Sequence, residues 1–303
     1  MAGSRSWAEG VLQLLGKMNS FHMQGSSKAL CKPFVVEGTE VGMVQPRMFA
    51  LLGRYPKLFQ VSDGAGGRVE ISSQLHSYQQ RSAAIEQVLR EWRQEKLFDS
   101  LSKWRNEKFS FDSLFLPPPN IAVTLPGLFG VKSYGVHVNG FVRHGHGEMS
   151  MWVGRRTESK ETYPGRLDNL VAGGLSAGLG VKETLIKECE EEACIPKSIA
   201  TTAKPAGTIS YTYEDEWGVF PECQFIYDLE LPAEFVPEVG DGEVQEFYLW
   251  PLEKVKEAIS GSDSEFKPNC AMVVLDFLIR RGILHADNER CYHQFIEGLH
   301  REL

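Results

Sequence analysis

Glu188, Glu191 and Glu192 stand at i, i+3 and i+4 in the run KECEEEA. On a helix that spacing gathers three carboxylates into a sector of roughly 100°. Leu185, Ile186, Cys189 and Ala193 fall in a separate apolar sector, so packing does not account for the acids. Left to themselves, adjacent like charges weaken a helix by tenths of a kcal/mol per pair, at about 0.2–0.5 kcal/mol. A hard divalent cation such as Mg²⁺ or Mn²⁺ reverses that sign, because clustered oxygen ligands suit it. Such ions bridge diphosphate oxygens and lower the pKa of an attacking water. The ordinary alternative for a charge run is a solvated acidic face. The glycine-rich loop GGLSAGLG immediately before the helix favours a site instead.

Other side chains are candidates for supporting roles. Glu243 and Glu246, in DGEVQEF, are candidate general bases from outside the helix, or ordinary surface carboxylates. Arg155 and Arg156 follow a strand, and a guanidinium there can hold phosphate through two bonds; one of the pair is expected to matter at most. Asp168 and Asn169 precede the glycine loop, where they orient a substrate amine or ring nitrogen or simply make the turn. Tyr211, Tyr213 and Trp217 are able to stack on a ring, although core packing is the commoner use of such residues. His144 and His146 form an H-x-H pair without a third ligand, which is more often incidental than metal-binding.

The elements that must position these groups fall into two regions. The chain has 303 residues, enough for an N-terminal α+β region, 1–118, and a larger one, 119–303. In the first, PFVVEGTEVGMVQP predicts a strand hairpin, and Ile85, Val88, Leu89 and Trp92 predict an amphipathic helix over Gln80–Lys96. Trp7, Val11, Leu14, Leu15 and Met18 predict a packed first helix. LPPPN, at 116–120, breaks regular structure between the regions. Beyond it, SYGVHVNGFVRH and MSMWVGRR alternate apolar residues about a glycine-rich turn, as a β-hairpin does. Strands are expected in GTISYTY, CQFIYDLEL and VQEFYLW, and helices over Leu252–Ile259 and Asn269–Arg281, the latter ended by Gly282. The fold class is therefore α/β (α+β), a mixed sheet in an α/β/α sandwich behind a smaller α+β domain.

Composition narrows the partners. A formal net charge of -8 argues against a nucleic-acid partner and leaves room for a local phosphate pocket. Six scattered cysteines, with no C-x-x-C pair, read as a reduced thiol set. No apolar run approaches a membrane span, and the N-terminus lacks a convincing leader, so a cytoplasmic location is expected ahead of a mitochondrial one. The oligomeric state is not readable.

The segment from Gly173 to Ile195 resembles the signature of the Nudix hydrolases: glycine, five residues, Glu, seven residues, then Arg-Glu-aliphatic-x-Glu-Glu-x-Gly-aliphatic. Aligned on the double glutamate, Gly173 takes the first glycine, Glu188 the first catalytic glutamate, Glu191 and Glu192 the pair, and Ile195 the last position. The resemblance implies that these three glutamates bind the catalytic metals. It adds the carbonyl before the first glycine, here that of Ala172, as a further ligand. Leu179, Lys187 and Cys194 stand where the signature has Glu, Arg and Gly. Glu183, one turn before Lys187, is positioned to replace the missing loop-to-helix brace. EGTEVGMVQP, KWRNE, PGRLDNLVAGGL, YDLELP and FKPNCAMVVLDFLIRRG further resemble the thiamine-pyrophosphokinase-related Nudix branch, which has an extra N-terminal domain. That branch implies hydrolysis of thiamine diphosphate, or its damaged oxo or oxy analogues, to the monophosphate. With the chain ending at Leu303, soon after this region, kinase activity is not expected. Alternatives on the same fold are a nucleoside-diphosphate hydrolase acting on ADP-ribose or NADH, and a non-catalytic binding module. An isopentenyl diphosphate isomerase would need a cysteine in LDNLVAGG, which has none.

Overall fold

The computed structural model describes residues 6–64, 66–98, 109–110, 122–123, 126–175, 178–216, 218–260 and 264–303. LPPPN, KWRNE, Trp217 and the proposed 118/119 boundary lie outside the described residues. The chain opens with helix α1 (Trp7–Met18), then β1 (Lys32–Val36), β2 (Thr39–Val44), α2 (Pro46–Gly53), β3 (Phe59–Val61), β4 (Val69–Ile71) and α3 (Tyr78–Gln94). β1 and β2 pair as the expected hairpin, in a sheet of order β2-β1-β4-β3. On α3, Ser77 and Gln80 form a reciprocal capping box, and Ile85, Val88, Leu89 and Trp92 are buried. They close one core with Phe34, Met48, Leu52, Phe59 and Phe129.

Two short strands, β5 (Phe109–Ser110) and β6 (Ala122–Val123), pair with each other. The second region follows with β7 (Ser133–Arg143), β8 (Met149–Arg156), β9 (Leu167–Asp168), β10 (Val171–Gly174), α4 (Val181–Ala193) and α5 (Lys197–Ala200). Next come β11 (Lys204–Glu214), β12 (Val219–Glu230), β13 (Val244–Pro251), α6 (Leu252–Ala258), α7 (Pro268–Arg280) and α8 (Tyr292–Leu299). The sheet runs β11-β12-β7-β8-β13, with β10 added on β7 and β9 on β8. It is mixed: β7 and β12 are parallel, while the other pairs are antiparallel.

Period-two alternation along β7 supplies both faces. Val136, Val138 and Val142 meet Leu185, Cys189 and Ala193 of α4. Phe141, on the other face, meets the α7 side chains Val274 and Phe277. Each fully buried aliphatic or Phe side chain is worth about 1.5–3 kcal/mol. α1 packs into this second core, not the first: Val11, Leu14, Leu15 and Met18 join α6, α7 and α8. The Trp7 indole donates to the Lys256 carbonyl at 2.7 Å, and Asn19 donates to that of Gly298 at 2.8 Å. The opening helix thus completes the layer that covers one face of the second sheet.

Candidate active site

α4 is stapled at both ends. At its start, Glu183 turns back to accept from the Gly180 backbone N–H at 3.0 Å. Glu183 is thus spent on its own helix terminus, and the expected Glu183–Lys187 brace is replaced. Lys187 reaches forward, 3.1 Å from Glu188 and 2.7 Å from Glu191. At the other end Cys194 adopts φ 50°, the left-handed conformation that explains the glycine of the resembled signature. The terminal carbonyls of Glu191, Glu192 and Ala193 accept from the N–H groups of Asp241, Gly240 and Glu238, at 2.9, 3.2 and 3.2 Å. A Cβ on Gly240 would lie 1.9 Å from the Glu191 carbonyl, so only glycine permits this docking.

The helix presents its acids at graded depth. The Glu191 side chain is 48% exposed and that of Glu188 15%. Glu192 is buried and accepts from the Ala172 N–H at 3.1 Å. Gly173, next along β10, makes room for Glu188: a Cβ there would sit 2.5 Å from its Cδ. Glu188 and Glu192 are therefore collected against Gly173 and Ala172 where β10 meets α4, and Glu191 is tied to Glu188 through their shared Lys187.

Burial raises the pKa of Glu192 well above the carboxylate range, and the charge of Asp168 adds to this. Among the described residues no ion pair compensates Glu192. The site thus offers hard oxygens and one deep, uncompensated carboxylate, a donor set that fits Mg²⁺ or Mn²⁺. Lys187 covers part of the charge deficit at Glu188 and Glu191.

Asp168 is buried too, but differently provided for. Burial works to raise its pKa; Lys267 and Arg156 overcome that and hold it down to about 2. Arg156 pairs with it at 2.8 Å and gives its other donors to the carbonyls of Thr162 and Tyr163. The Cys270 thiol donates to Asp168 at 2.7 Å. Asp168 and Arg156 are thus committed to each other. Arg155 is the more open of the arginine pair, donating to the Gly165 carbonyl at 2.8 Å and to the Tyr248 hydroxyl at 3.2 Å. Asn169 accepts from His137 Nδ1 at 2.8 Å and is buried.

The two outlying glutamates separate. Glu243 pairs with Lys160 and is close enough for its charge to act on Glu192. Glu246 is exposed and accepts from Tyr248, whose neighbour Trp250 packs with it on the side of the sheet away from α4. Tyr211 is buried and donates to Glu222 at 2.6 Å; Tyr213 stacks on Phe220 at 4.8 Å. His144 bonds Ser150 at 2.9 Å on an exposed turn. Sequence reasoning missed His137, Lys160, Glu222, Lys267 and Cys270, and the docking of 238–241. A polar His137 and Asn139 amid the valines of β7 were the available signal.

A family model described as "Domain of unknown function (DUF4743)" matches residues 10–133, and one described as "NUDIX domain" matches residues 133–270. The chain is 37% identical to the Arabidopsis thaliana protein "Nudix hydrolase 20, chloroplastic", over 84% of this chain and 69% of that one. It is 36% identical to "Nudix hydrolase 24, chloroplastic" of the same plant, with the same coverage. A third relative, "Uncharacterized protein YJR142W" of Saccharomyces cerevisiae, is 34% identical over 82% of this chain and 75% of that one. The chloroplastic names of the plant relatives overturn the cytoplasmic expectation. That expectation rested on the composition of the N-terminal residues, which does not by itself fix a compartment. With its mixed α/β architecture, the gathered carboxylates and these relatives, the chain belongs to the Nudix hydrolase family and is a hydrolase.

Proposed function

We propose that the protein cleaves the diphosphate of a small organic substrate, most specifically thiamine diphosphate or its oxo or oxy analogues, giving the monophosphate and phosphate. The observation that carries this reading is the setting of Glu188 against Gly173 and of Glu192 against the Ala172 N–H, with Glu191 tied to Glu188 through Lys187 and, among the described residues, no ion pair to the buried Glu192. Those three side chains and the Ala172 carbonyl would hold Mg²⁺ or Mn²⁺, which supplies charge neutralisation and an acidified water when bound. The chain's own residues supply the rest. Glu243 takes the proton from the water that attacks phosphorus, as the outlying carboxylate bonded through its N–H to Asp241, whose own N–H caps the Glu191 carbonyl. The bond from that phosphorus to the bridging oxygen breaks, and the bridging oxygen leaves on the organic monophosphate. Arg155 bonds Tyr248 on the side of the sheet away from α4, so it takes no part in holding the phosphates. The docked loop 238–241 fixes the end of α4 and with it the aim of Glu191 and Glu192.

The thiamine assignment is supported by the motifs shared with the thiamine-related branch along most of the chain. In line with the plant relatives, we place the reaction in a plastid. The test is phosphate or nucleotide release, with Mg²⁺ and with Mn²⁺, from thiamine diphosphate, its oxo and oxy forms, ADP-ribose and NADH. The thiamine compounds are expected to be turned over with the highest kcat/KM. Inactivity on every thiamine form would remove the substrate assignment.

A further inference from the structure

Across the sheet from α4, polar side chains from four elements meet at the start of α7. Buried among them are Asp168, His137, Cys270, Tyr211 and Gln224. Four others still touch solvent: half-buried Glu222 and Tyr213, Lys267 with its side chain 20% exposed, and Tyr163 at 39%. His137, Asp168 and Cys270 bring their ligand-type atoms within 4.8 Å of one another, which suggests a metal. The charges decide otherwise. Arg156 at 2.8 Å and Lys267 at 4.0 Å already neutralise Asp168, so a further cation would meet two positive groups.

The open valences suit an organic ring instead. Tyr211 and Gln224 both donate to Glu222 Oε2, at 2.6 and 2.8 Å, which leaves Oε1 to accept from an outside N–H. Gln224 in turn bonds His137, which bonds Asn169. Gly135 keeps that chain possible, since a Cβ there would lie 2.1 Å from Gln224 Oε1. At its far end Asn169 Nδ2 is buried and has no hydrogen-bond partner among the described residues, a donor that needs an acceptor from elsewhere. Lys267 offers a cationic donor, and Tyr213, stacked on Phe220 with an interplanar angle of 5°, offers a flat wall. His137 of this cluster pairs across β7 and β10 with Ala172, whose N–H bonds Glu192 at 3.1 Å, so the two places adjoin.

We propose that the solvent-touching edge of this cluster binds the organic end of the substrate, a flat heteroaromatic ring bearing an N–H donor, with Glu222 as the residue that reads that donor. The inference deepens the diphosphatase reading and rests on it. An amine or ring N–H donates to Glu222, a ring acceptor faces Lys267, and Tyr163 and Tyr213 bracket the plane. Thiamine and an adenine nucleoside share this chemistry, and the two are separable.

Binding is measured by calorimetry on the full chain in metal-free buffer, with thiamine, adenosine and the benzyl thiazolium analogue of thiamine, whose six-membered ring has neither nitrogen nor amine. Thiamine is expected to bind at least about tenfold more tightly than the benzyl analogue, and Glu222→Gln to abolish that preference. Tyr163→Ala, at an exposed position, is expected to weaken thiamine about tenfold with an unchanged melting temperature. Binding of adenosine in place of thiamine assigns the cluster to a nucleoside. Equal affinity for thiamine and the benzyl analogue, a preference that survives Glu222→Gln, or no binding of any ring overturns the proposal. Phosphate release with Mg²⁺ is scored separately: failure there with ring binding intact strikes the diphosphatase reading alone.

Discussion

Asp168 and Glu192 are two buried acids close enough to repel each other, and the protein treats them in opposite ways. Asp168 has Arg156, Lys267 and the Cys270 thiol around it and stays ionised down to about 2. Glu192 has one backbone N–H and a raised pKa. A carboxylate whose compensating charge is built into the chain is a finished structural unit. One whose compensation is left out has a place for a cation from solution. Both lie within reach of one short stretch, β9 to β10, but only the second faces the other glutamates of α4.

Substitution should separate the two sharply. Arg156→Met leaves Asp168 buried and poorly compensated, and is expected to cost about 3–5 kcal/mol in denaturant unfolding, with or without metal. Glu192→Gln is expected to do the reverse in metal-free buffer, raising stability, because it removes a repelled charge. If both variants destabilise the metal-free protein alike, the contrast between the two acids is wrong.

Acid titration sharpens the same contrast. His137, beside Asp168, has its pKa lowered by burial and by Lys267 to about 4 from 6.5. The folded state binds fewer protons there than the unfolded one, so stability is lost as pH falls from 6.5 towards 4, by up to about 3 kcal/mol. Asp168 extends the loss from 3.8 down towards 2. Glu192 acts with the opposite sign, since its raised pKa means that stability falls as pH rises above 4.5. In the metal-free protein the two groups therefore oppose each other between pH 6.5 and 4.5, and His137→Asn should remove the destabilising part, so that the variant loses less stability than wild type on acidification from pH 6.5 to 4. An unchanged slope in the variant would show that His137 does not titrate on unfolding.

Much of the site was legible because it is local. The i, i+3, i+4 spacing, the glycine loop and the apolar sector of α4 all lie within 173–195, and the helix spans Val181–Ala193 as its periodicity requires. Strand alternation likewise marked β7, β8 and β13. What escaped is long-range. Nothing in the run Glu238–Asp241 announces that its N–H groups will cap a helix more than forty residues earlier. Glu183 looked like a partner for Lys187 because the pair has favourable spacing, but the helix start offers it an unpaired N–H. Asp168 and Arg156 looked available for substrate because their mutual contact, across β8 and β9, depends on sheet register. α1 was recognised as a packed helix, while its partners at the far end of the chain were not in view.

Smaller effects test the framing of the metal acids. Gly173→Ala forces Glu188 aside, so apparent Mn²⁺ affinity and kcat/KM should each fall about tenfold with little change in metal-free melting. Cys194→Gly relieves a left-handed non-glycine and should stabilise the fold by about 1 kcal/mol in denaturant titration.

The most direct measurement is Mn²⁺ binding by electron paramagnetic resonance to wild type and to the Glu191→Gln/Glu192→Gln double variant, with phosphate release from thiamine diphosphate recorded on the same samples. Wild type should bind the ion and turn over, while the variant binds weakly and loses activity by about 10²–10³-fold. A variant that retains both Mn²⁺ and turnover would contradict the assignment of the α4 glutamates.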